Sequence, residues 1–332
     1  MKSLLAAFPA ALLAVPATAA SAAEPIWQTF PSGKVHFSVV ESVSPRATWF
    51  LGADAKDRPV ARRWDGRRFH RVALPRTFAK GYFSDAEFSS PKSGWAVAIA
   101  DRKTLVLRWN GRSWKVSATL PESFGAELGV VGPKNVLVAG VTTSSQDDGN
   151  WRYDGTRWRK LTTGPSLHSF SGRYALDLDH ERTLLRWTGR AWKGLRVPGT
   201  AGVFLTTMAA RGSEEIWAVG EKGAESGTSH LFHWNGGRWS RERIPLPTPI
   251  SGIEKIVPDG RGGLWLSGTR TVRDESSDDF GPVFLHRSAV GKYGSAGASR
   301  DLYDFDRVPG TTTLWGVGSY GSEWKSAIFR RR

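Results

Sequence analysis

Residues 107–121 read LRWNGRSWKVSATLP, and this stretch has close copies elsewhere in the chain. The copies are RRWDGRRFHRVALP at 62–75, WRYDGTRWRKLTTGP at 151–165, LRWTGRAWKGLRVP at 185–198 and FHWNGGRWSRERIP at 232–245. In each, an aromatic residue is followed by a dipeptide ending in glycine, a second aromatic residue and a closing proline. Asn-Gly and Asp-Gly strongly favour a β-hairpin, because both residues tolerate a positive φ angle. The copies therefore predict one β-unit that is used many times.

The length of the hairpin turn decides which residues face each other. A two-residue turn in the 107–121 copy would set Trp109 opposite Arg112, with Trp114 diagonal to Trp109 on the same face. A three-residue loop with a bulge would change that register, and the sequence leaves both open. The closing proline ends the second strand, because proline has no N–H to donate to a sheet.

Upstream of each hairpin, another strand carries one bulky anchor residue. The anchors are Trp49, Trp95, Leu137, Tyr174, Trp217, Trp265 and Trp315, spaced 46, 42, 37, 43, 48 and 50 residues apart. A further short strand precedes each anchor, so each period holds four strands, which we label A to D. A self-similar four-stranded unit every 40 to 50 residues or so is typical of a β-propeller blade.

The two ends of the chain predict how the ring closes. The seventh unit stops at AIFRRR, which reads as a strand C, while residues 24–31 read EPIWQTFP and resemble a strand D. If the two ends pair, no exposed sheet edge remains. We therefore predict an all-β fold, a seven-bladed β-propeller of four-stranded antiparallel blades. Residues 24–332 form its single domain, and the N-terminal strand completes the last blade.

The first 23 residues have the features of a secretory signal peptide. They contain Lys2, an apolar middle and small residues at the end. The apolar run is too short and too interrupted by proline to span a bilayer, so we expect no membrane insertion. The chain has no cysteine, which excludes a disulfide, a thiolate site or a cysteine-linked lipid. We expect a secreted protein, either extracellular or associated with the cell wall.

The charge of the chain favours anionic partners. It carries 46 Lys and Arg against 31 Asp and Glu, a formal net charge of +15, and much of the excess lies on the C–D hairpins. The candidate polyanion-binding residues are Arg62, Arg63, Arg67, Arg68, Arg71, Arg157, Arg159 and Lys160. Because C and D are outer strands, these residues would form a belt for an anionic wall polymer, a polysaccharide or, non-specifically, nucleic acid. Alternatively, repeat duplication copied solvated arginines that bind nothing.

Strand A lines the channel of a propeller, and here it carries an acidic position. Glu41, Glu87, Glu254 and Asp306 take equivalent places, and Asp85 and Asp304 lie two residues earlier. Carboxylates near one axis could hold a cation, or act as acid and base if crowding raised a pKa. If the protein is an enzyme, the candidate catalytic residues are Glu41, Glu87, Glu254, Asp304 and Asp306. The alternative is that each carboxylate pairs with an arginine or the backbone of a neighbouring blade.

The long B–C loops offer candidates for a metal ion. The third loop contains Asp147 and Asp148, and the sixth contains Asp274, Glu275, Asp278 and Asp279. Clustered carboxylate oxygens suit calcium, although the spacing does not match an EF-hand. The alternative is that these are solvated, mobile loops. No cofactor is predicted, and calcium is the ion for which the sequence offers ligands.

Six aromatic residues outside the repeat frame are candidates for glycan binding. They are Trp151, Phe280, Tyr320, Trp324, Phe78 and Tyr82, all placed in or beside B–C and D–A loops. Aromatic rings on one face of the ring of blades would form a floor for a sugar. The alternative is that they are hydrophobic anchors of the loops.

The W-[DN]-G-x-x-W hairpins and the GWAVG-like strands resemble the Trp-rich repeat propellers secreted by high-GC Gram-positive bacteria. These belong loosely with the kelch and galactose-oxidase-like propellers. The resemblance covers the chain after the signal peptide and implies the fold, but it rests on packing residues and implies no chemistry. Strict kelch repeats would need a diglycine and a wider Tyr-to-Trp spacing.

The sequence contains no nucleophile motif, phosphate loop or zinc-ligand spacing. We therefore predict a secreted, non-catalytic propeller that binds an extracellular polyanion, glycan or protein. The alternative is an extracellular glycoside hydrolase or polysaccharide lyase that uses the channel carboxylates.

Overall fold

The computed structural model describes residues 27–122, 125–141, 149–161, 164–177, 183–222, 228–246, 251–274, 277–296, 300–321 and 325–332. Within these ranges the chain forms 28 strands in seven four-stranded sheets, and no helix. Consequently, none of the described segments is a helix that could cross a membrane.

The strands follow the chain blade by blade. Blade 1 contains β2 (Val35–Ser44), β3 (Ala47–Asp54), β4 (Pro59–Trp64) and β5 (Phe69–Val72). Blade 2 contains β6 (Tyr82–Ser90), β7 (Ser93–Ala100), β8 (Lys103–Trp109) and β9 (Trp114–Glu122). Blade 3 contains β10 (Gly125–Gly132), β11 (Asn135–Val141), β12 (Asn150–Tyr153) and β13 (Trp158–Leu161). Blade 4 contains β14 (Leu167–Ser171), β15 (Tyr174–Asp177), β16 (Leu184–Trp187) and β17 (Trp192–Gly194).

The remaining blades have the same composition, except at the junction of the chain ends. Blade 5 contains β18 (Phe204–Arg211), β19 (Glu215–Glu221), β20 (Ser229–Trp234) and β21 (Trp239–Arg243). Blade 6 contains β22 (Ser251–Pro258), β23 (Leu264–Asp274), β24 (Ser277–Arg287) and β25 (Tyr293–Ser295). Blade 7 contains β26 (Arg300–Arg307), β27 (Leu314–Tyr320), β28 (Lys325–Arg331) and, as its outer strand, β1 (Gln28–Pro31).

The pairing of β1 with β28 confirms the predicted closure. The two strands are antiparallel, with Gln28 opposite Arg330 and Pro31 opposite Ala327. Just before β1, the buried Trp27 contacts Phe284 of blade 6, at 5.6 Å between ring centroids. The two ends of the chain therefore build one blade and join it to its neighbour.

The C–D hairpins have wider turns than the two-residue turn considered from the sequence. Trp109 lies directly opposite Trp114, so four residues form the loop and the two-residue register is wrong. Asn110 explains the width, because its Oδ1 accepts hydrogen bonds from the N–H groups of Arg112 and Ser113, both at 3.0 Å. The aromatic pair thus lies directly across the ladder rather than diagonally, with ring centroids 5.7 Å apart and ring planes tilted by 49°.

The predicted sixth B–C loop is also largely strand. Strand β23 continues to Asp274, and β24 begins at Ser277. The acidic segment therefore extends a β-hairpin instead of forming a loop. The β-branched residues Thr269, Thr271 and Val272 favour this extension.

The anchors of strand B join neighbouring blades. Trp49 of blade 1 contacts Trp109 and Trp114 of blade 2, at 4.8 and 5.4 Å between ring centroids. Trp95 of blade 2 packs in the same way on Tyr153 and Trp158 of blade 3, at 5.2 and 5.7 Å. The repeated aromatics therefore form the core between blades, and each pair adds about 0.5–1.5 kcal/mol beyond the burial of area.

A basic or histidine side chain faces the anchor across the B–C ladder in all seven blades. These residues are Arg63, Arg108, Arg152, Arg186, His233, His286 and Arg330. The guanidinium carbon of Arg108 lies 5.2 Å from the ring centre of Trp95, and that of Arg330 lies 5.1 Å from Trp315. Part of the positive charge thus covers the anchors through cation–π contacts.

Candidate functional site

The seven A strands surround a central cavity of about 470 Å³. The cavity is acidic, although the whole chain is basic. Its carboxylates are Glu41, Asp85, Glu87, Glu127, Glu254, Asp304 and Asp306, and Lys255 and His168 are the basic side chains on its described lining. Strand A therefore places charge along the channel, as the sequence predicted.

Five of the A strands carry a β-bulge near their first residues. The register shifts leave one extra residue in each of these strands, namely Ser38, Ser84, Thr206, Glu254 and Tyr303. All five extra residues line the cavity. A bulge redirects a side chain without breaking the sheet, so it turns these residues into the channel.

The bulge corrects the predicted equivalence of the acidic residues. Glu41, Glu87 and Asp306 each lie opposite the anchor of their blade. In blade 6, however, Val257 is opposite Trp265, and Glu254 is the bulge residue. Glu254 is exposed and accepts a hydrogen bond from the Thr269 hydroxyl at 2.9 Å, so it belongs to the mouth of the channel.

The deeper carboxylates bind the backbone of the next blade. Asp85 and Glu87 of blade 2 accept hydrogen bonds from the N–H groups of Leu128 and Val130 in blade 3, at 2.8 and 2.7 Å. Strand A is the inner edge of its sheet, so alternate N–H groups along it have no partner in the ladder. The carboxylates supply those partners.

The same arrangement recurs where the ring closes. Asp304 and Asp306 of blade 7 accept hydrogen bonds from Val40 N and Ser42 N of blade 1, at 2.8 and 2.7 Å. Lys255 of blade 6 makes an ion pair with Asp304. Blades 6, 7 and 1 are thus connected through polar groups on the channel wall.

Blades 3 to 5 use a variant of this arrangement. Glu127 binds the Ser169 N–H and makes an ion pair with His168, at 2.6 Å between Oε1 and Nδ1. Ser169 and Ser171 in turn accept hydrogen bonds from N–H groups of blade 5. Sequence reasoning missed Glu127 and Lys255, although each occupies the register of Asp85 and Asp304.

Burial raises the pKa of several channel carboxyls. Removal from water raises the pKa of Glu87 to about 8 and that of Asp85 to about 7, although the backbone hydrogen bonds oppose the shift. Burial also raises the pKa of Asp306 to about 6. The pKa of Glu41 lies well above its ordinary value because of burial and then the charge of Asp306. Burial therefore favours the protonated form of Glu87 near neutral pH.

The predicted polyanion-binding residues fall into two groups. Arg67, Arg68, Arg71, Arg157, Arg159 and Lys160 are exposed. Arg62 and Arg63 are half-buried, at 5.3 Å over the Phe37 ring and 5.8 Å over the Trp49 ring. The first group is available to a polymer, whereas the second also covers aromatic rings.

The predicted glycan-binding aromatics do not form one floor within the described residues. Phe78 is buried against Phe83, at 5.3 Å between ring centroids. Trp151 packs on the core between blades 2 and 3, and Tyr320 on the core of blades 6 and 7. Tyr82 is exposed at the start of β6. The Phe280 side chain and Trp324 lie outside the described part of the chain.

The proposed calcium ligands cannot be placed as a group. Asp274, Asp278 and Asp279 are strand residues of blade 6, but their side chains are outside the description, as are Glu275, Asp147 and Asp148. Among the residues that are described, no three His, Cys, Asp or Glu side chains are arranged to hold a metal ion.

Comparisons with known proteins show the fold. No protein-family model matches the chain, and no curated protein matches it. YCF48 from Cyanidioschyzon merolae is similar in structure, with a TM-score of 0.60 and 12% identity over 92% of this chain and 98% of its own. The β-propeller domain of Myceliophteria thermophila Cps50 (Swd1) has a TM-score of 0.59 and 10% identity over 92% and 98%.

A further similar structure is YCF48 bound to D1 peptide, with a TM-score of 0.60 and 13% identity over 92% of this chain and 94% of its own. At such low identity the likeness concerns the β-propeller architecture and not a ligand.

Proposed function

We propose that this chain is a secreted, non-catalytic propeller of the Trp-rich repeat type that binds an extracellular anionic polymer. The binding surface is the set of exposed basic residues on the six C–D hairpins other than those that face a strand B anchor, which we call the hairpin belt. It consists of Arg67, Arg68, Arg71, Arg112, Lys115, Arg157, Arg159, Lys160, Arg190, Lys193, Arg196, Arg238, Arg241, Arg243 and Lys292. Its polymer is of the cell-wall or acidic polysaccharide class.

The observation that carries this proposal is that the acidic side chains on the same hairpins are engaged in hydrogen bonds and ion pairs of their own. Asp65 accepts hydrogen bonds from Arg67 N and Arg68 N, both at 2.8 Å, and pairs with His70. Asp154 caps its own turn in the same way. These carboxylates hold the turns, and Asp154 also pairs with Arg159 of the belt, at 3.1 Å between Oδ2 and Nε, while the belt side chains remain exposed to solvent.

The third acid of the hairpins, Glu242, is engaged between blades. It makes an ion pair with the buried Arg287 of blade 6 and accepts a hydrogen bond from the Tyr293 hydroxyl at 2.6 Å. The three acidic residues of the hairpins are far fewer than the basic residues of the belt, which favours binding of a polyanion by release of counterions.

Charge reversal tests the proposal. The combined variant Arg67→Glu, Arg68→Glu and Arg71→Glu should lose roughly tenfold or more in affinity for immobilised wall teichoic acid or dextran sulfate at low salt. Its binding should also depend less steeply on salt concentration. The matched control is Lys34→Glu, Lys56→Glu and Lys80→Glu, which changes the net charge equally on exposed loop residues. Equal losses of affinity in both variants would show that binding depends on net charge alone, and would contradict a binding site on the hairpin belt.

A protein partner is the other form of the same proposal. One structure of similar architecture, YCF48, is bound to D1 peptide, so an architecture similar to this one accommodates a peptide. Retention of a protein from culture supernatant that survives moderate salt, with no retention of polyanions, would favour this form.

A carbohydrate-active enzyme is the second candidate function. The supporting observation is that the pKa of Glu87, raised by burial to about 8, keeps a proton available near neutral pH inside an acidic cavity. Against it, Asp85, Glu87, Asp304 and Asp306 all accept hydrogen bonds from backbone N–H groups. Release of sugars from acidic or neutral polysaccharides that is lost in Glu87→Gln would favour the enzyme; no release would remove it.

A further inference from the structure

Three large exposed hydrophobic side chains lie at one end of the channel. Tyr82, Phe204 and Tyr303 are 48%, 49% and 55% exposed, respectively, and Val290 is the fourth such side chain among the described residues. Tyr82 and Phe204 are the first residues of β6 and β18. Strand A begins at the end of the ring that carries the D–A and B–C connections, which we call the loop face. The three aromatics are therefore spaced around the channel mouth on that face.

Their positions within the blades are defined by the pairing. Tyr82 lies opposite Ile99, four residues beyond its anchor Trp95, and Phe204 lies opposite Glu221, four residues beyond Trp217. The two aromatics thus occupy the same place in blades 2 and 5. Repeat packing does not require an aromatic there, since the equivalent residue of blade 6 is Gly252.

Tyr303 differs from its counterparts in the other bulges. Ser38 and Ser84 use the bulge to donate hydrogen bonds to carbonyls of the next blade, Phe83 O at 2.9 Å and Ala126 O at 2.5 Å. Tyr303 and Glu254 put a larger, exposed side chain at the same position, and both line the cavity. Blade 6 thus presents a carboxylate to the mouth and blade 7 presents an aromatic ring. Neither group is needed for the hydrogen bonds by which the bulge serines connect their blades.

The charge of the cavity determines what fits this mouth. Seven acidic side chains line it against Lys255 and His168. Burial keeps Glu87 mostly protonated near neutral pH, so the negative charge of the cavity is smaller than seven but still exceeds its positive charge. The net charge of the chain is +15, so a cation meets repulsion over most of the molecule and attraction at the channel. Aromatic faces that surround a carboxylate-lined opening attract cations, because the ring quadrupole and the carboxylates act with the same sign.

We propose that the loop-face mouth of the channel is a docking site for a cationic peptide segment that carries arginine or lysine. The aromatic rings of Tyr82, Phe204 and Tyr303 contact its side chains, and Glu254 receives a guanidinium or ammonium group. The channel wall below supplies the attractive field. This site is separate from the hairpin belt and selects the opposite charge.

Fluorescence anisotropy with a labelled hexapeptide of alternating glycine and arginine tests the proposal at low salt. We expect saturable binding that salt weakens, and no binding of the same peptide with glutamate in place of arginine. Tyr303→Ala and Tyr82→Ala should each weaken binding roughly two- to fivefold, the range for exposed cation–π contacts. Glu254→Gln should weaken it by a similar factor, and the charge-reversed belt variant should bind at least as well as the unmodified protein, because it repels the peptide less.

The matched control is Val290→Ala, which removes an 80% exposed side chain on the C–D turn of blade 6, away from the mouth. This variant should bind the peptide normally. Absence of binding up to millimolar peptide, or equal effects of Val290→Ala and Tyr303→Ala, would overturn the proposal. A neutral oligosaccharide such as chitohexaose that displaced the peptide, or bound in its place with loss in Tyr303→Ala, would show a sugar platform and overturn the cationic partner.

Discussion

The channel carboxylates illustrate how a single residue type can hold two blades together. The inner strand of a propeller blade has a free edge, and its N–H groups would face the channel without partners. Asp304 and Asp306 accept two such groups, Val40 N and Ser42 N, on the neighbouring blade. In blade 4 the hydroxyls of Ser169 and Ser171 do the same for blade 5. The choice between carboxylate and hydroxyl sets the charge of the channel.

This arrangement predicts that stability falls as pH rises. The pKa of Glu87 is about 8 in the folded chain because of burial, against an ordinary value near 4.5. Between these two pH values the folded state keeps a proton that the unfolded chain has lost, so unfolding is favoured as pH increases. The pKa of Asp85, raised to about 7 by burial, acts in the same direction. Thermal unfolding should therefore have a lower midpoint at pH 8 than at pH 5.

Glu87→Gln isolates one contribution to this pH dependence. Glutamine keeps an acceptor for Val130 N but cannot ionise, so the variant should match the unmodified protein at pH 5 and exceed it at pH 8. We expect a gain of about 1–2 kcal/mol at pH 8, less than a dry interior would give, because the channel admits solvent. The exposed Glu254→Gln controls for loss of one negative charge. A Glu87→Gln curve parallel to that of the unmodified protein would contradict this account.

At the scale of elements, the C–D turn is the unit that the repeats reproduce. In blade 2 the side chain of Asn110 accepts two backbone N–H groups, but in blade 4 the residue at that place is Thr188. The Thr188 hydroxyl accepts one N–H, that of Ala191 at 3.2 Å, and donates to the Ala191 carbonyl. The turn of blade 4 therefore has one backbone donor fewer satisfied by its side chain.

Substitutions at these two positions should change the free energy of unfolding in opposite directions. Asn110→Ala removes two hydrogen bonds and should lower the free energy of unfolding by about 1–2 kcal/mol. Thr188→Asn should raise it by about 0.5–1 kcal/mol, because it supplies the second acceptor contact. Urea unfolding followed by tryptophan fluorescence measures both. A stabilising Asn110→Ala or a strongly destabilising Thr188→Asn would mean that the turn is held by something other than the side-chain cap.

The elements also show what could be predicted from sequence. The hairpins, the anchors and the count of seven blades were predictable, because aromatic residues and turn glycines recur at a fixed spacing. The bulges were not, since one extra residue such as Glu254 changes the register without changing the local pattern. For the same reason the bulge position of Tyr303 became apparent only from the pairing with β27. The hydrogen-bond role of Asp85 and Glu87 depends on the neighbouring blade, which the local sequence does not specify.

At the scale of the whole molecule, aromatic packing runs around the ring from blade to blade. The Trp315 anchor of blade 7 contacts Trp64 and Phe69 of blade 1, at 5.3 and 5.9 Å between ring centroids. Blade 6 departs from this pattern, because Arg287 takes the place of the first hairpin aromatic and pairs with Glu242. The hairpins of blades 5 and 6 are therefore joined by an ion pair, in addition to the ion pairs that Lys255 and His168 make between blades on the channel wall.

The closing strand is the point at which the ring depends on a non-covalent contact. Trp27 is buried, and it packs on Phe284 and on Phe329, the latter at 6.4 Å between ring centroids. Trp27→Ala should cost about 3–5 kcal/mol, as for other buried tryptophans. It should also release β1, since strand D of blade 7 has no turn that joins it to strand C.

A substitution at a second tryptophan separates the general loss of stability from the release of β1. Trp158→Ala removes the second hairpin aromatic in blade 3, where strand D continues directly from strand C. Both variants should have lower unfolding midpoints. Only Trp27→Ala should speed trypsin cleavage after Lys34 and hydrogen exchange of the β28 amides. The reason is that β28 then becomes an exposed edge. Equal protection of β28 in the two variants would mean that the ladder, and not Trp27, fixes the closing strand in its blade.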